Sequence, residues 1–373
     1  MKDLLVTTHT PVLRSGQAGR TYGVARALAA NGGLTLLYVR FEAPEPDAAF
    51  RSIPGIELRE VLPSRGLRRL IAFAAARMAG VPDGFARGIS PELAREARRL
   101  AADADRGRVI ADGPIAAAAL APLARGRPVV YNAHNFESGF RGELEEGPTV
   151  SASALRAFER GLLERASESW MVSEADIAAA RELCPEARLR YVPNVVDVSS
   201  IRPVVPVAGA RRAVFVANFA YEPNRNGLRF LLERVFPLVW RELPDAKLLL
   251  VGRGLEEMPP SDPRVETVGF VEDLAEAYAR ASCAVVPLLQ GGGTPLKFVE
   301  ALAYGLPIVA TSRAAAGLAV RDGEHCLLAD GEQAFASALV GVLRDGAPEI
   351  ARRGRELAAE RYSIEALTGL LSR

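Results

Sequence analysis

Short apolar runs alternate with longer stretches of helical spacing along the first half of the chain. Apolar residues that recur every three or four positions predict helices, and short runs rich in leucine, valine and isoleucine predict buried strands. The predicted strands are Leu4–Thr7, Leu34–Val39, Arg108–Ala111, Pro128–Asn132 and Ser169–Val172, and the predicted helices are Thr21–Ala30, Pro91–Ala104, Pro114–Ala124 and Ser153–Arg165. This order is typical of a parallel, doubly wound α/β sheet.

The alternation lapses from Pro193 to Gly209, where prolines recur without periodicity and indicate a connection between domains. A second α/β rhythm follows. Its predicted strands are Ala213–Ala217, Lys247–Val251, Val265–Val268, Ala284–Pro287 and Pro307–Ala310, with a helix at Gly227–Glu242. We therefore expect two Rossmann-like domains, 1–195 and 196–356, that face each other across a cleft, with ligand-binding loops after the strands.

Composition agrees with two ordinary globular domains. The chain has 373 residues, of which 49% are hydrophobic and 24% charged, and these values exclude a disordered or fibrous protein. The formal net charge of +1 gives no global attraction to nucleic acid, so no nucleic-acid partner is expected. Lys2, Lys247 and Lys297 are the only lysines among 46 basic residues. Cys184, Cys283 and Cys326 are too far apart for a zinc site or redox pair, and we expect buried thiols.

The N-terminal apolar run is broken within ten residues, and no apolar run approaches the roughly 18 residues of a membrane span. We expect a cytoplasmic protein, in which the alanine-rich segments Ile71–Val81 and Ile115–Leu123 are core helices. Arginines at 59–87 flank apolar residues at helical spacing. They predict either a basic amphipathic helix that touches anionic lipid, with the protein then at the cytoplasmic membrane face, or a helix packed by its apolar side with a solvated arginine face.

A glycine-rich turn, GGGTPLKFVE, follows the predicted strand Ala284–Pro287 and opens a helix. Backbone amides at such a helix start, together with the helix dipole, bind phosphate. Lys297 adds a positive charge, and the carboxylate of Glu300 lies almost one turn further on, where it can accept hydrogen bonds from a ribose diol. A purely structural turn is the alternative.

Two other strand ends are candidates for ligand contacts. The predicted loop Arg14–Gly19 contains Gly16 and Gly19 between the first strand and the first helix, and it is either a phosphate loop or a structural turn. His134, in NAHNFE, follows a strand and can hydrogen-bond a sugar hydroxyl or exchange a proton, or else caps its loop. His9 also follows a strand and is a candidate for the same cleft. No nucleophile or metal motif is present.

These residues together identify a resemblance. The run VFVANFAYEPNRNGLRFLLERVFPLVWRELPDAKLLLVGRG and the later VGFVEDLAEAYARASCAVVPLLQGGGTPLKFVEALAYGLPIVAT are similar to the donor domain of the family 4 glycosyltransferases. Upstream, NAHNFES, MVSEAD and VPNVVD resemble the histidine loop, the serine-glutamate turn and the interdomain crossover of that family. The resemblance implies the two-domain GT-B fold, with a C-terminal helix in 357–373 that crosses back to the first domain.

The resemblance also implies roles for single residues. Glu300 matches the second glutamate of the family's Glu-x7-Glu motif, which binds the donor ribose, and His134 matches a histidine near the donor sugar. Gly16 and Gly19 match the first-strand loop that meets the phosphates. The remaining implied donor-site residues are Gly292, Gly293, Thr294, Pro295 and Leu296 in the glycine turn, and Phe270 and Val271 beside the base.

The sequence departs from the family at two places. Gly292 stands where the first glutamate of Glu-x7-Glu would fall, which puts the identity of the sugar in doubt. The family's diphosphate-neutralising arginine and lysine would fall near Asn218 and Asn226, and neither is basic. We expect Lys297 to supply that charge, with Arg225 and Arg253 as the alternatives.

The function implied is transfer of a sugar from a UDP- or GDP-sugar to a hydroxyl of a glycan, lipid-linked or small-molecule acceptor. The resemblance implies retention of anomeric configuration, front-face attack and no metal or other cofactor. Two alternatives stay open. One is a nucleotide-sugar epimerase of the same fold, and the other is a catalytically degraded regulator that binds a nucleotide sugar without turnover.

Overall fold

The computed structural model describes residues 1–13, 15–41, 44–103, 105–136, 138, 151–205, 209–258, 260–271, 273–291 and 294–372. The chain divides into two compact units. The first comprises Met1–Asn194 with Leu367–Arg373, and the second comprises Val195–Ala366. Within the described residues, no helix is both long enough and apolar enough to span a membrane.

The described part of the first unit forms a seven-stranded parallel sheet in the order β3-β2-β1-β4-β5-β6-β7. Its strands are β1 (Lys2–Thr7), β2 (Leu34–Val39), β3 (Ile56–Val61), β4 (Arg106–Asp112), β5 (Val129–Asn132), β6 (Glu168–Met171) and β7 (Leu189–Tyr191). The helices are α1 (Gly16–Ala30), α2 (Ala48–Arg51), α3 (Leu67–Met78), α4 (Asp83–Ala86), α5 (Pro91–Ala101), α6 (Pro114–Leu120), α7 (Ala152–Arg165) and α8 (Glu174–Leu183).

The second unit forms a parallel sheet of six described strands in the order β10-β9-β8-β11-β12-β13. These are β8 (Arg212–Val216), β9 (Lys247–Val251), β10 (Val265–Val268), β11 (Cys283–Val286), β12 (Ile308–Ala310) and β13 (Leu327–Leu328). The helices are α9 (Glu222–Phe230), α10 (Phe236–Glu242), α11 (Ala275–Ala279), α12 (Leu296–Tyr304), α13 (Ser312–Ala315), α14 (Glu332–Asp345), α15 (Pro348–Arg361) and α16 (Ile364–Leu371), the last of which ends in the first unit.

Central strands of both sheets are buried on both faces, as parallel strands covered by helices must be. All six residues of β2 are buried, and β9 is buried from Leu248 to Val251. This explains why apolar runs located these strands in the sequence. In each sheet the strand order reverses once, between β1 and β4 and between β8 and β11. Ligands of doubly wound sheets bind beyond the carboxyl ends of the strands at such switch points.

The predicted loop Arg14–Gly19 is wrong over most of its length, because α1 begins at Gly16. Ser15 is the N-cap, and its Oγ accepts a hydrogen bond from the Ala18 amide at 3.2 Å. A serine cap of this kind stabilises a helix start in spite of two glycines. Gly16 and Gly19 therefore lie in the first turn of α1 and not in a preceding loop.

Other boundaries also differ from the predictions. The helix predicted at Gly227–Glu242 begins at Glu222, and a π-helical turn, Leu231–Val235, separates α9 from α10. Pro237, which lacks an amide hydrogen, follows that turn and accounts for the interruption. Pro295 caps α12 from outside instead of forming its first helical residue. The sequence did not predict β3, β7 and β13, which are half-exposed or only two to three residues long.

The interpretation of Ile71–Val81 as a core helix is wrong. In α3 only Ala76 is buried, whereas Leu67, Leu70, Ile71 and Met78 are 72%, 64%, 59% and 90% exposed. The alternative in which an arginine-bearing helix packs by its apolar side is wrong for the same reason. By contrast α6, which overlaps Ile115–Leu123, buries Ala116, Ala119 and Leu120. All three cysteines are buried and free, as predicted.

Candidate functional site

The first candidate site lies at the carboxyl ends of β1, β4 and β5, around the switch point of the first sheet. Its centre is Asp112, the last residue of β4, which is 1% exposed. Asp112 Oδ2 accepts a hydrogen bond from Thr21 Oγ1 at 2.6 Å, and Oδ1 accepts one from Asn132 Nδ2 at 2.7 Å. His134 Nε2 lies 2.9 Å from the same Oδ1. One buried carboxylate thus joins α1, β4 and the end of β5.

Asp112 stays ionised in spite of its burial. Burial by itself raises the pKa of a carboxyl group, because it disfavours the charged form. The nearby His134 and His9 and the hydrogen bond from Thr21 outweigh burial and hold the pKa of Asp112 below its usual range. At neutral pH the carboxylate therefore acts only as a hydrogen-bond acceptor.

His9, after β1, belongs to the same cluster. Its Nδ1 lies 2.9 Å from Thr7 Oγ1 and its Nε2 lies 3.3 Å from Thr21 Oγ1. The rings of His9 and His134 meet edge to face, with 6.2 Å between their centroids. Burial lowers the pKa of His9, the Asp112 charge opposes this effect, and His134 adds to it. The structure thus brings both strand-end histidines together.

A buried arginine is hydrogen-bonded to this cluster. Arg20, in α1, is 2% exposed and donates to the Val192 carbonyl, to Asn194 Oδ1 and to Asn132 Oδ1. Burial lowers its pKa to about 10, but the guanidinium remains charged at neutral pH. Through Asn132 the arginine fixes the amide that in turn donates to Asp112.

Sequence reasoning missed Asp112 and Arg20. A signal for Asp112 was available, because an Asp-Gly pair directly after a buried strand is a polar strand end of the same kind as Asn132. Arg20 had no such signal, since it is one of many arginines in helical stretches. Its partners follow it by 112 to 174 positions in the chain.

The His134 ring packs against Gly113. The φ of Gly113, +85°, is one that residues with a side chain rarely adopt. A Cβ at this position would also lie 3.0 Å from His134 Cε1 and 3.2 Å from Nδ1. The imidazole therefore packs directly on the glycine backbone, and the site requires glycine at 113 for two independent reasons.

The second candidate site lies after β8 and β11, at the switch point of the second sheet. Lys297, in the first turn of α12, donates from Nζ to Asn224 Oδ1. Asn224, in the first turn of α9, donates from Nδ2 to the Asn218 carbonyl at 2.7 Å. The ammonium also lies 5.1 Å from the centroid of the Phe215 ring, within cation–π range. Lys297 and Asn218, both predicted, are thus linked through Asn224, which the sequence analysis did not single out.

Burial shifts the pKa of both titratable groups of α12. Desolvation lowers the pKa of Lys297 to about 7, and the nearby Glu300 opposes this shift. Desolvation also raises the pKa of Glu300, and Lys297 opposes that shift. Each group is stabilised by the charge of the other, yet neither has an ion-pair contact within 4 Å among the described residues. An anionic ligand would therefore find an ammonium whose charge is only partly compensated.

A profile of the family described as "Glycosyl transferases group 1" matches residues 210–345. We refer to the matched residues, 210–345, as the group 1 domain. The phosphatidyl-myo-inositol mannosyltransferase of Mycobacterium leprae is 34% identical over 165 residues, which are 41% of this chain and 44% of that protein. The protein of the same name from Mycolicibacterium smegmatis is 32% identical over 167 residues, 41% of this chain and 42% of that protein. The chain thus spans less than half the length of these relatives.

Solved structures resemble the whole chain. A sucrose-phosphate synthase from Thermosynechococcus elongatus superposes with a TM-score of 0.76 at 19% identity, over 100% of this chain and 97% of that chain. The HepE protein of Anabaena in complex with UDP-glucose gives 0.69 at 14% identity, over 100% and 98%. These likenesses concern the fold. The predicted resemblance to family 4 and the GT-B fold are both confirmed.

Two of the predicted basic residues of the group 1 domain already have partners. Arg225 Nη1 lies 3.3 Å from Glu257 and its Nε lies 3.7 Å from Glu222. The Arg253 guanidinium stacks on the Phe270 ring at 4.2 Å, and Phe270 is 47% exposed. Arg253 and Phe270, which follow β9 and β10 in the chain, thus contact each other, and Val271 is the next residue after Phe270.

The glycine turn of the group 1 domain is described only in part, since Gly292 and Gly293 lie outside the described residues. Thr294 is 6% exposed, Pro295 is the N-cap of α12, and Leu296 is the first residue of that helix. Arg313 Nε donates a hydrogen bond of 2.9 Å to the carbonyl of Gly291, the first glycine of the turn. In the described residues no group of three or more histidine, cysteine, aspartate or glutamate side chains forms a candidate metal site.

Proposed function

We propose that the chain is a retaining glycosyltransferase that transfers a sugar from a UDP- or GDP-sugar to a hydroxyl of a glycan, lipid-linked or small-molecule acceptor. The observation that supports this most is the lysine at the switch point of the group 1 domain. Lys297 donates to Asn224, which in turn donates to the Asn218 carbonyl, in the region where the resemblance implies a basic pair. The HepE structures, which contain UDP and UDP-glucose, support a nucleotide-sugar donor.

In this proposal the residues of the second unit stabilise the departing diphosphate. Negative charge grows on the diphosphate as the anomeric carbon becomes oxocarbenium-like, and fixed donors at that place lower the barrier. Lys297 supplies the positive charge, the first amides of α12 donate hydrogen bonds, and the α12 dipole adds a favourable electrostatic potential. Glu300 accepts from the ribose, while Arg253 and Phe270 flank the base. Arg225 is the weaker candidate for the diphosphate because two glutamates already pair with it.

We also propose that residues 1–195, with the C-terminal segment 357–373, bind the acceptor, and that residues 196–356 bind the donor. His134 accepts a hydrogen bond from a hydroxyl of the transferred sugar, and the first turn of α1, which contains Gly16 and Gly19, approaches phosphate with the Gly16 amide, because the Gly19 amide donates to the Ser15 carbonyl. Retention follows front-face attack, in which the leaving phosphate takes the acceptor proton. No resident metal is required, because Lys297 supplies the charge that a divalent cation would otherwise supply.

A panel of nucleotide sugars tests the donor class. We expect UDP- or GDP-sugars to raise the melting temperature, because a ligand at 100 times its Kd stabilises the folded protein by about 2.7 kcal/mol. With a suitable acceptor the nucleoside diphosphate should then be released, and transfer should continue in the presence of EDTA. Absence of any thermal shift with every nucleotide sugar would contradict the proposal.

The same panel separates the alternatives. A nucleotide-sugar epimerase would convert the donor without an acceptor and release no transferred product. A regulator without turnover would give the thermal shift and no release of nucleoside diphosphate under any condition. Transfer that scales with acceptor concentration would exclude both.

We further propose that α3 binds the surface of an anionic bilayer. Leu67, Leu70, Ile71 and Met78 recur at helical spacing on one exposed stripe of α3, and arginines, among them Arg68, lie next to it. Apolar side chains favour the headgroup boundary, and arginines complement anionic lipid. The mycobacterial relatives are named for a phosphatidylinositol lipid, which supports a lipid acceptor.

Vesicle sedimentation tests the membrane proposal. We expect the wild type to bind vesicles that contain phosphatidylglycerol, to bind phosphatidylcholine vesicles weakly, and to dissociate at high salt. The double substitution Leu70→Asp and Ile71→Asp should weaken binding at least about tenfold, because it removes two apolar contacts and adds repulsion. Val205→Asp is the matched control, since Val205 is 86% exposed and lies outside α3. Equal binding of both variants would contradict the proposal.

A further inference from the structure

The contacts of Asp112 determine which nitrogen of His134 bears a proton. Asp112 Oδ1 lies 2.9 Å from His134 Nε2, and the carboxylate is ionised. An ionised carboxylate only accepts hydrogen bonds, so the proton of this hydrogen bond belongs to Nε2. In a neutral imidazole with Nε2 protonated, Nδ1 carries the lone pair and acts as an acceptor.

The carboxylate itself has little freedom to reorient. Thr21 donates to Oδ2 and Asn132 donates to Oδ1, and the Asn132 amide is itself fixed because its own oxygen accepts from Arg20. All four side chains are buried. The hydrogen-bond chain from Arg20 through Asn132 to Asp112 therefore orients the acceptor for His134.

The other side of the imidazole is fixed by the backbone. The ring packs on Gly113, whose positive φ and missing Cβ leave room for it. In the described part of the chain Nδ1 of His134 has no hydrogen-bond partner. The ring is thus held by Asp112 at Nε2 and packs against Gly113, and among the described residues its Nδ1 is left without a partner.

We propose that Asp112 is a positioning residue, which holds His134 as the Nε2–H tautomer and so presents Nδ1 as the acceptor for a hydroxyl of the transferred sugar. The inference rests on the proposed function for the identity of that hydroxyl. The tautomer itself is a property of the free protein and does not depend on any substrate.

Nitrogen-15 NMR of the imidazoles tests the tautomer directly. The chain has only three histidines, so the variants His9→Gln and His325→Gln assign the His134 signals. In the wild type we expect two-bond and three-bond couplings that place the proton on Nε2. In Asp112→Ala we expect a mixture of tautomers or the Nδ1–H form, and in Asp112→Asn, whose amide oxygen can still accept, a partial return to Nε2–H.

The kinetic arm uses the same variants. We expect Asp112→Ala to lower kcat about 10- to 100-fold with a much smaller change in the donor KM, and Asp112→Asn to recover part of the loss. Asp3→Asn is the matched control, because Asp3 is a buried carboxylate at the amino end of the same sheet, paired with Arg108 at 2.8 Å. It should leave the His134 tautomer and kcat unchanged.

An Nδ1–H tautomer in the wild type would overturn the inference even if Asp112→Ala does not fold. So would an unchanged tautomer in a folded Asp112→Ala. The expected tautomer in a protein that transfers no sugar from any donor would instead contradict the proposed function and leave the role of Asp112 toward His134 standing.

Discussion

Replacing Lys297 with methionine is expected to lower kcat about 100- to 1000-fold, the usual effect of removing one fixed charge-stabilising donor. Donor binding should weaken less than turnover, because the diphosphate gains charge as the bond to the sugar breaks. Release of nucleoside diphosphate and isothermal titration with the intact donor measure the two effects. Equal losses in both would mean that Lys297 only holds the ground-state phosphate.

The pH dependence of donor binding follows from the depressed pKa of Lys297. In the free protein the ammonium has a pKa of about 7, so a rise in pH above 7 converts it to a neutral amine. A diphosphate ligand favours the charged form, and the donor Kd of the wild type should therefore rise up to about tenfold per pH unit above pH 7. Lys297→Arg should flatten this profile, because arginine stays charged throughout.

We expect Lys297→Met to raise the stability of the folded protein, although it lowers turnover. A lysine whose pKa is lower in the folded state destabilises that state at any pH where the unfolded chain is protonated. The unfolded state binds more protons between pH 7 and 10.5, so stability from this group rises with pH across that window. Lys297→Met should thus melt above the wild type at pH 7, and the difference should shrink toward pH 9. Lys247→Met, at an exposed ion pair with Glu266, is the control and should alter neither profile.

The fold could be predicted from sequence because its central strands are buried on both faces. Such strands are nearly continuous apolar runs, and β2 and β9 have the bounds that the apolar pattern predicted. The short or half-exposed strands β3, β7 and β13 lack this signal, since their pairing partners and not their own composition stabilise them. Apolar spacing also predicted a helix at α3, but it could not show that neighbouring elements leave its apolar stripe exposed.

The residues of the candidate sites likewise differ in how well the sequence predicts them. His134, Lys297 and Glu300 stand at strand ends or helix starts, which local sequence reveals. Asp112 and Asn224 act through contacts with residues 22 and 73 positions away, and such pairing is a property of the sheet order. Local sequence therefore identifies the groups that face a ligand better than the groups that orient them.

Replacing Glu300 with alanine is expected to weaken binding of a nucleoside diphosphate about 10- to 150-fold, the effect of losing hydrogen bonds between a carboxylate and the ribose diol. Titration calorimetry with UDP and GDP measures this loss. Inorganic pyrophosphate, which has no ribose, should lose much less affinity in Glu300→Ala than a nucleoside diphosphate does, because only the accompanying fall in the pKa of Lys297 affects it. Lys297→Met should weaken binding of both ligands, so the two variants separate ribose contacts from phosphate contacts.

The charge of Glu300 also predicts the acid side of the profile. Burial raises the pKa of Glu300, so the carboxylate is protonated at a less acidic pH than usual. Nucleoside diphosphate binding should therefore weaken as the pH falls below the pKa of Glu300. Because the folded state favours the neutral carboxyl, Glu300→Gln should raise the melting temperature at pH 7 while it weakens binding. The glutamine also removes the charge that raises the pKa of Lys297, so the alkaline loss of donor binding should begin at a lower pH. Glu276→Gln, at an exposed position in α11, should change none of these properties. Unchanged nucleoside diphosphate affinity in Glu300→Ala would remove the ribose assignment, because no other role of this carboxylate distinguishes UDP from pyrophosphate.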